Sequence, residues 1–426
     1  MGALLFAASE PGAWYDPSDL STLFQDSAGS TPVTAVEQPV GRMLDKSGRG
    51  NHATQVTATK RPVFSRRYNA VGNITTPTGG TATIVTAGYP ADMTFVQLTK
   101  TSISDEVCYE LAVPSAAPGR WVFSLVVDTA VSWPIYDATL GSAYTLGGYV
   151  NFIFNAGTKT VSFGATTGSA TGISASATQV SGSIYRLTYA VNLPDPPGAL
   201  FRFYIFSGAG LGSPGRIISQ VSAVREADAH LPYQWVNTAT DYDADPNKFP
   251  AYLRFDGADD ALQTANIDFT STDKMTVWAG ITKLSDTATG TVVELSALKN
   301  TNNGVFALFA PLSPGSPEIA WYSKGTSERS AASASESAPV TRVITGIGDI
   351  SGDISRLRVN GAVVQTQTAD QGTGNFGNYP LYIGARNQSS LYLNGRLYSL
   401  IVRGAQTPLS QIEATELYIK QKMRMP

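Results

Sequence analysis

The chain has 426 residues, 30 Lys+Arg against 33 Asp+Glu, and a net charge of -3; charged residues make up 15% of it, against about 25% in an ordinary soluble domain. That balance argues against non-specific nucleic-acid binding, which rests on clustered cations, and no apolar run approaches the ~20 residues of a membrane helix. Cys108 is alone, which excludes an intrachain disulfide and a thiolate metal cluster, and His52 and His230 are too few for a three-histidine zinc site.

In chain order, Leu4-Leu5-Phe6-Ala7-Ala8 is a short apolar patch with no basic residue before it, and it reads as a buried first strand rather than a secretory leader. Residues 1–66 continue through Trp14, Tyr15 and Asp16 to Asp45-Lys46-Ser47-Gly48-Arg49-Gly50-Asn51, loop-rich and with too few strands for a core of their own. Residues 67–236 are rich in Ser, Thr and Gly. Strands are expected there at Val122–Val127, Tyr149–Phe154, Tyr185–Val191 and Phe201–Phe206, where β-branched and aromatic residues alternate with polar ones. Asp241 to Pro250 is a polar connector. Residues 251–426 form a second β block with a Ser/Ala-rich loop at 330–338. Near the end, Leu409, Ile412, Glu413, Glu416 and Lys420 recur at helical spacing. Pro408 stands at the first turn and Lys420 and Lys422 come late, as a helix dipole prefers. The pattern predicts an all-β chain of antiparallel sandwiches with one short C-terminal helix.

Three patches of the last block resemble the concanavalin A-like, laminin-G-type jelly roll. They are Tyr252-Leu253-Arg254-Phe255-Asp256-Gly257, the hairpin Arg358-Val359-Asn360-Gly361-Ala362-Val363, and the closing run Leu381-Tyr382-Ile383-Gly384 with Leu393-Asn394-Gly395-Arg396-Leu397-Tyr398. Asn-Gly is a strong hairpin signal because both residues accept positive φ. The family's "Asp-x-Ser-Gly-x-Gly-Asn" turn is matched by Asp45 to Asn51, far upstream of Phe255. An insertion reconciles the two. Residues 1–66 plus 245–426 would form one discontinuous jelly roll, and 67–244 a second β-sandwich spliced into it, since loop-closure entropy grows slowly with length. The inserted block resembles the carbohydrate-binding-module-like sandwiches of bacteriophage structural proteins, which end in a strand and a "Pro-Tyr-Gln" turn; here Val224 leads to Pro232-Tyr233-Gln234-Trp235. Gly12-Ala13-Trp14-Tyr15-Asp16-Pro17 is similar to the opening of phage tail and appendage proteins.

Candidate chemistry is thin. Glycan cleavage needs two carboxylates roughly 5–10 Å apart, and the Glu-x-Asp-x-x-Glu string of the concanavalin A-class glycanases does not occur; Asp105, Glu106 and Glu110 come nearest, with the wrong parity. Asp256, Asp259 and Asp260 are oxygen donors suited to Ca²⁺ at a loop rim, or ordinary turn formers, and Asp241, Asp243 and Asp245 make a second acidic loop. Sugar stacking calls for exposed aromatic faces. Trp133 and Tyr136, beside Pro134, read as the most loop-like, with Trp121 next and Trp235 also in the inserted block. Gly372 to Gly377 matches G-x-G-x-x-G, but a strand follows it where a nucleotide site needs a helix.

These resemblances imply a non-enzymatic virion protein of a tailed phage, a tail fibre, appendage or head decoration. Its partners would be other virion proteins, in a homo-oligomer with a trimer favoured, with no nucleic acid and no membrane span. The alternative is a receptor- or glycan-binding adhesin contacting a host surface sugar; a glycan depolymerase comes third.

Overall fold

The computed structural model describes residues 5–425 apart from 8, 87, 91–92, 101–106, 111–118, 131–137, 145–147, 156, 168–170, 194–200, 207–215, 226–230, 239–240, 299 and 333–334. Strands dominate, joined by short turns, and the long helix is the C-terminal Leu409–Lys422. The chain divides into two compact units, Met1–Arg66 with Phe249–Pro426, and Arg67–Lys248. The return crossing falls slightly later than residue 245, because Phe249 and Ala251 are buried.

The discontinuous unit is a sandwich of two antiparallel sheets. One runs Ala362–Gln367, Ile354–Val359, Val340–Asp349, Lys274–Lys283, Asn394–Arg403, Tyr252–Asp256, Val63–Ser65, with Gly12–Tyr15 also paired to Asn394–Arg403. The other runs Leu23–Phe24, Arg42–Met43, Ala53–Thr54, Leu262–Asp268, Asn378–Ile383, Thr291–Leu295, Val305–Phe309, Ala320–Lys324, Glu328–Ala332. Side chains from both sheets, among them Phe64, Phe255, Trp321, Leu357, Ile383 and Leu400, form one core.

The first 66 residues supply strands to both sheets, which answers how a segment with no core of its own folds. The Asp45 turn fixes them. Asp45 Oδ1 accepts the Trp14 and Ser47 amides at 2.8 Å each, and its Oδ2 accepts the Asn51 amide at 3.1 Å. Asn51 Nδ2 donates to the Gly12 carbonyl at 2.8 Å. Gly48 and Gly50 stand at φ +83° and +75°, a conformation that explains the glycines at those places in the turn. Leu5 and Phe6 are buried as expected, but outside any strand; the first strand is Gly12–Tyr15.

Ser65 pairs with Tyr252, Phe64 with Leu253 and Val63 with Arg254. The intervening unit therefore leaves from one strand and returns at the start of its antiparallel neighbour. The Asn360-Gly361 hairpin is formed as read, with Val359 opposite Ala362 and φ of +51° and +91° at the two turn residues. The predicted loop at 330–338 is in part strand, since Glu328–Ala332 pairs with Ala320–Lys324.

The helix begins at Leu409 with Pro408 as its cap residue, one position outside the first turn. Its buried face is Ile412, Thr415, Glu416 and Ile419, whereas Leu409 is exposed. A fork of two bonds from Arg358, Nε to Oε1 at 2.8 Å and an η nitrogen to Oε2 at 3.0 Å, holds Glu416, and Thr345 donates to Oε1 at 2.7 Å. A buried carboxylate so satisfied is the anchor of the helix.

Residues 67–248 form a second sandwich. Its six-stranded sheet runs Thr171–Ser181, Ile184–Leu193, Gly119–Asp128, Arg216–Arg225, Phe95–Lys100, Gly80–Val85; its five-stranded sheet runs Thr160–Thr167, Gly148–Asn155, Ala138–Tyr144, Phe201–Phe206, Val107–Glu110. Period-two alternation sets the two faces of the larger sheet. Trp121, Phe123, Leu125 and Val127, with Leu187, Tyr189 and Val191 on the next strand, face Phe152 and Phe154 across the core. Val126, Ile184 and Ile217 turn to the opposite face and join Phe95 in a smaller cluster there.

Candidate functional site

The aromatic candidates resolve unevenly. Trp133 and Tyr136 lie outside the described residues. Trp121 is a correction: it is 1% exposed, and its ring lies 6.0 Å from that of Phe123 in a stacked pair, so it offers no face to a sugar. The cause is its strand, which is flanked on both sides within the sheet and has its odd-numbered side chains directed into the core.

The structure brings Asp256, Asp259 and Asp260 together, with one carboxylate oxygen of each within 4.8 Å of the others. Asp256 Oδ1 accepts the Ala258 amide at 2.8 Å and the Asp259 amide at 3.2 Å, and Asp260 Oδ2 accepts the Asp256 amide at 3.0 Å. These bonds close the turn on their own account. Burial, and then the neighbouring Asp256 charge, push the Asp260 carboxyl up to about 7. The three could supply hard oxygen ligands to Ca²⁺ from one side only. The carboxylates of the second acidic loop already have partners: Lys248 lies 3.8 Å from Asp243 and 3.7 Å from Asp245, and Asn237 donates to Asp241 at 3.1 Å.

A different place in the inserted unit has the form of a binding site. A cavity of about 560 Å³ opens on the face of the six-stranded sheet turned away from the core, and its lining includes Met93, Arg186, Gln220, Tyr233, Trp235 and Lys248. Trp235 is 41% exposed there, an unusual position for so large an apolar surface. Tyr233, largely buried beside it, has its phenol pushed up to about 12 by desolvation.

Each wall has a local cause. In the Pro232-Tyr233-Gln234-Trp235 segment Gln234 points inward, while Pro232, Tyr233 and Trp235 line the cavity. Gln234 is bound at both ends of its amide: Oε1 accepts from the Tyr68 and Asn69 backbones at 2.7 and 3.0 Å, and Nε2 donates to the Asp243 carbonyl at 2.8 Å. Asn69 returns the contact, with Nδ2 donating to the Gln234 carbonyl at 3.0 Å and to Val221 at 3.2 Å. The strand Arg216–Arg225 bulges between Ser219 and Ser222, and Gln220 on that bulge has φ +48°, a region that L-residues rarely enter. Its Oε1 accepts from an η nitrogen of Arg186 on the strand two places along the sheet. Desolvation draws the Arg186 pKa below the usual guanidinium value.

The sequence points to Trp235 as one aromatic among several and to Pro232-Tyr233-Gln234 as a turn. Arg186 and Gln220 escape it, because a charge on an alternating strand reads as a solvated face until Tyr233, Trp235 and Lys248 are brought beside it.

Comparison with known proteins bears on the discontinuous unit. Residues 256–405 match the family model of the concanavalin A-like lectin/glucanases superfamily, laminin-G type. The unit that holds them contains a concanavalin A-like, laminin-G-like jelly roll, as the three sequence patches imply. No curated protein matches the chain. Among solved structures it is similar to the Ruminococcus gnavus IT-sialidase CBM40, at 14% identity over 34% of this chain and 82% of that one, TM-score 0.28. It is also similar to the heptameric SAP-like pentraxin of Limulus polyphemus, at 12% identity over 38% and 80%, TM-score 0.31. A third is the botulinum neurotoxin serotype G binding domain, at 10% identity over 40% and 43%, TM-score 0.31.

Proposed function

We propose that the chain is a non-catalytic adhesive protein whose inserted sandwich binds a surface glycan at the Trp235 cavity. The observation that carries this reading is a large, exposed tryptophan lining a cavity that also presents amide, phenol, guanidinium and ammonium groups. An aromatic platform with a few fixed polar groups is the usual make-up of a small-ligand site. Asp243 is the one carboxylate among the described residues lining the cavity, and it is paired with Lys248, whereas glycoside hydrolysis uses two. Its setting is the virion of a tailed phage, on tail or head, as a homo-oligomer among other virion proteins. Support for that setting comes from the resemblances of the first 20 residues and of the inserted block, and from a surface poor in charge.

A glycan array probed with the full chain and with Trp235→Ala tests the adhesive reading. Binding to a defined set of sugars, reduced about tenfold or more by the substitution, is the expected result. A blank array, or binding indifferent to Trp235, removes it. Peptide mass spectrometry of purified phage particles tests the setting separately, with this chain expected among the particle proteins.

A further inference from the structure

We infer that the cavity takes a carboxylate-bearing sugar, its acid group held by Arg186 and its ring laid against Trp235; this rests on the adhesive reading above. Three observations carry it. First, Arg186 is half-buried in the cavity wall and has five N–H donors, of which one is spent, on Gln220. No carboxylate forms an ion pair with it among the described residues, and the desolvation that lowers its pKa is uncompensated by a partner. A guanidinium withdrawn from water without a counter-ion is a place where an anionic ligand gains a charge-assisted bond.

Second, the charge count of the lining favours an anion. Its charged members are Arg186, Lys248 and Asp243, and the last two offset each other. One positive charge remains, on Arg186, which is half-buried where Lys248 is exposed. Asp243 is further occupied by the Asp245 amide at 3.1 Å, so it is not free to swing toward Arg186 without opening its own turn.

Third, the guanidinium is aimed. Gln220 keeps a left-handed backbone at a bulge, and its side chain fixes one edge of the Arg186 fork. A planar fork with one edge fixed leaves the other edge for a planar acceptor pair, the geometry of a carboxylate. The ring that bears this group then has Trp235 and Tyr233 as its apolar walls.

The test uses the full chain and calorimetry at low salt with two acidic probes, tetragalacturonate and a hyaluronan tetrasaccharide. Each is paired with its fully methyl-esterified form, and a sulfated galactan tetrasaccharide serves as a third arm. At least one acid is expected to bind about tenfold or more tighter than its ester. That preference should collapse in Arg186→Gln, survive in part in Arg186→Lys, and fall as salt rises. Trp235→Ala should weaken acid and ester alike. Unchanged thermal unfolding of both Arg186 variants separates lost recognition from lost folding. Equal affinity for acid and ester, an acid preference that persists in Arg186→Gln, tighter binding of the sulfated probe, or refusal of both acids by a protein that binds neutral sugars on the array would each overturn the inference and leave the adhesive reading standing. Failure on every probe and on the whole array would end both.

Discussion

Replacing Asp260 by Asn tests how the 256–260 turn carries its charge. Asp260 is 7% exposed, and its carboxyl is pushed from 3.8 to about 7, by burial first and by Asp256 second. A carboxyl that binds its proton more tightly in the folded than in the unfolded chain lowers stability as pH rises between the two values. Asp260 therefore costs nothing below about pH 4, a growing amount from there to about pH 7, and a constant amount above. The shift is roughly 3 units, a ceiling of about 4 kcal/mol at 1.36 kcal/mol per unit, and solvent at the turn reduces it to about 2 kcal/mol. Asn keeps an oxygen to accept the Asp256 amide and carries no charge. The variant should exceed the natural protein by about 0.5 kcal/mol at pH 4.5 and by about 2 kcal/mol at pH 8, where the midpoint shift is about 1 M in urea. Tryptophan-fluorescence unfolding at both pH values is the assay. A difference between variant and natural protein that does not grow from pH 4.5 to pH 8 would refute the reasoning. Calcium gives a second reading of the same site: if the three carboxylates hold it, millimolar calcium should stabilise the natural protein at pH 8 and leave Asp260→Asn unmoved.

Glu416→Ala takes from the buried Arg358 its two-bond partner, leaving Glu413 at 3.7 Å as its nearest carboxylate, and should destabilise the jelly roll by about 3 kcal/mol, whereas Glu416→Leu with Arg358→Met should come within about 1 kcal/mol of the natural protein in urea unfolding. Gly346→Ala would place a methyl 2.2 Å from the Trp321 ring in the middle of the sandwich, and calorimetry should show a loss of about 1–3 kcal/mol or more. Gln234→Ala leaves the Tyr68 and Asn69 amides without their acceptor, which should cost about 2 kcal/mol and release the segment bearing Trp235, read as a red-shifted, more quenchable fluorescence and a weakened glycan titration.

The fold was legible where local chemistry dictates it. Alternation marked the strands around Val122, Phe152, Tyr189 and Phe203, and Asn360-Gly361 could close only one kind of hairpin. What escaped was set by distant partners. Trp121 reads as an available aromatic because nothing local tells which side of its strand meets the second sheet. Leu409 fits a helical apolar stripe, yet the face that docks is built around the Glu416 carboxylate, a polar anchor that hydrophobic spacing does not reveal. The cavity joins a strand residue, a bulge residue and a turn that are far apart in the chain. Of these, only the aromatic pair beside Pro232 carries a signal of its own.

The pairing of Ser65 with Tyr252 makes the long excursion between them equivalent, for the host sheet, to a hairpin turn. Any segment whose ends approach to strand spacing can occupy that place without altering a single register. The locus thus behaves as a cassette. Exchange of the intervening unit for another of like end spacing is expected to leave the pairing of Val63–Ser65 with Tyr252–Asp256 intact. A folded insert whose ends stand at strand spacing also lowers the loop-closure entropy of pairing these two strands, since the span to be closed is no longer a flexible chain.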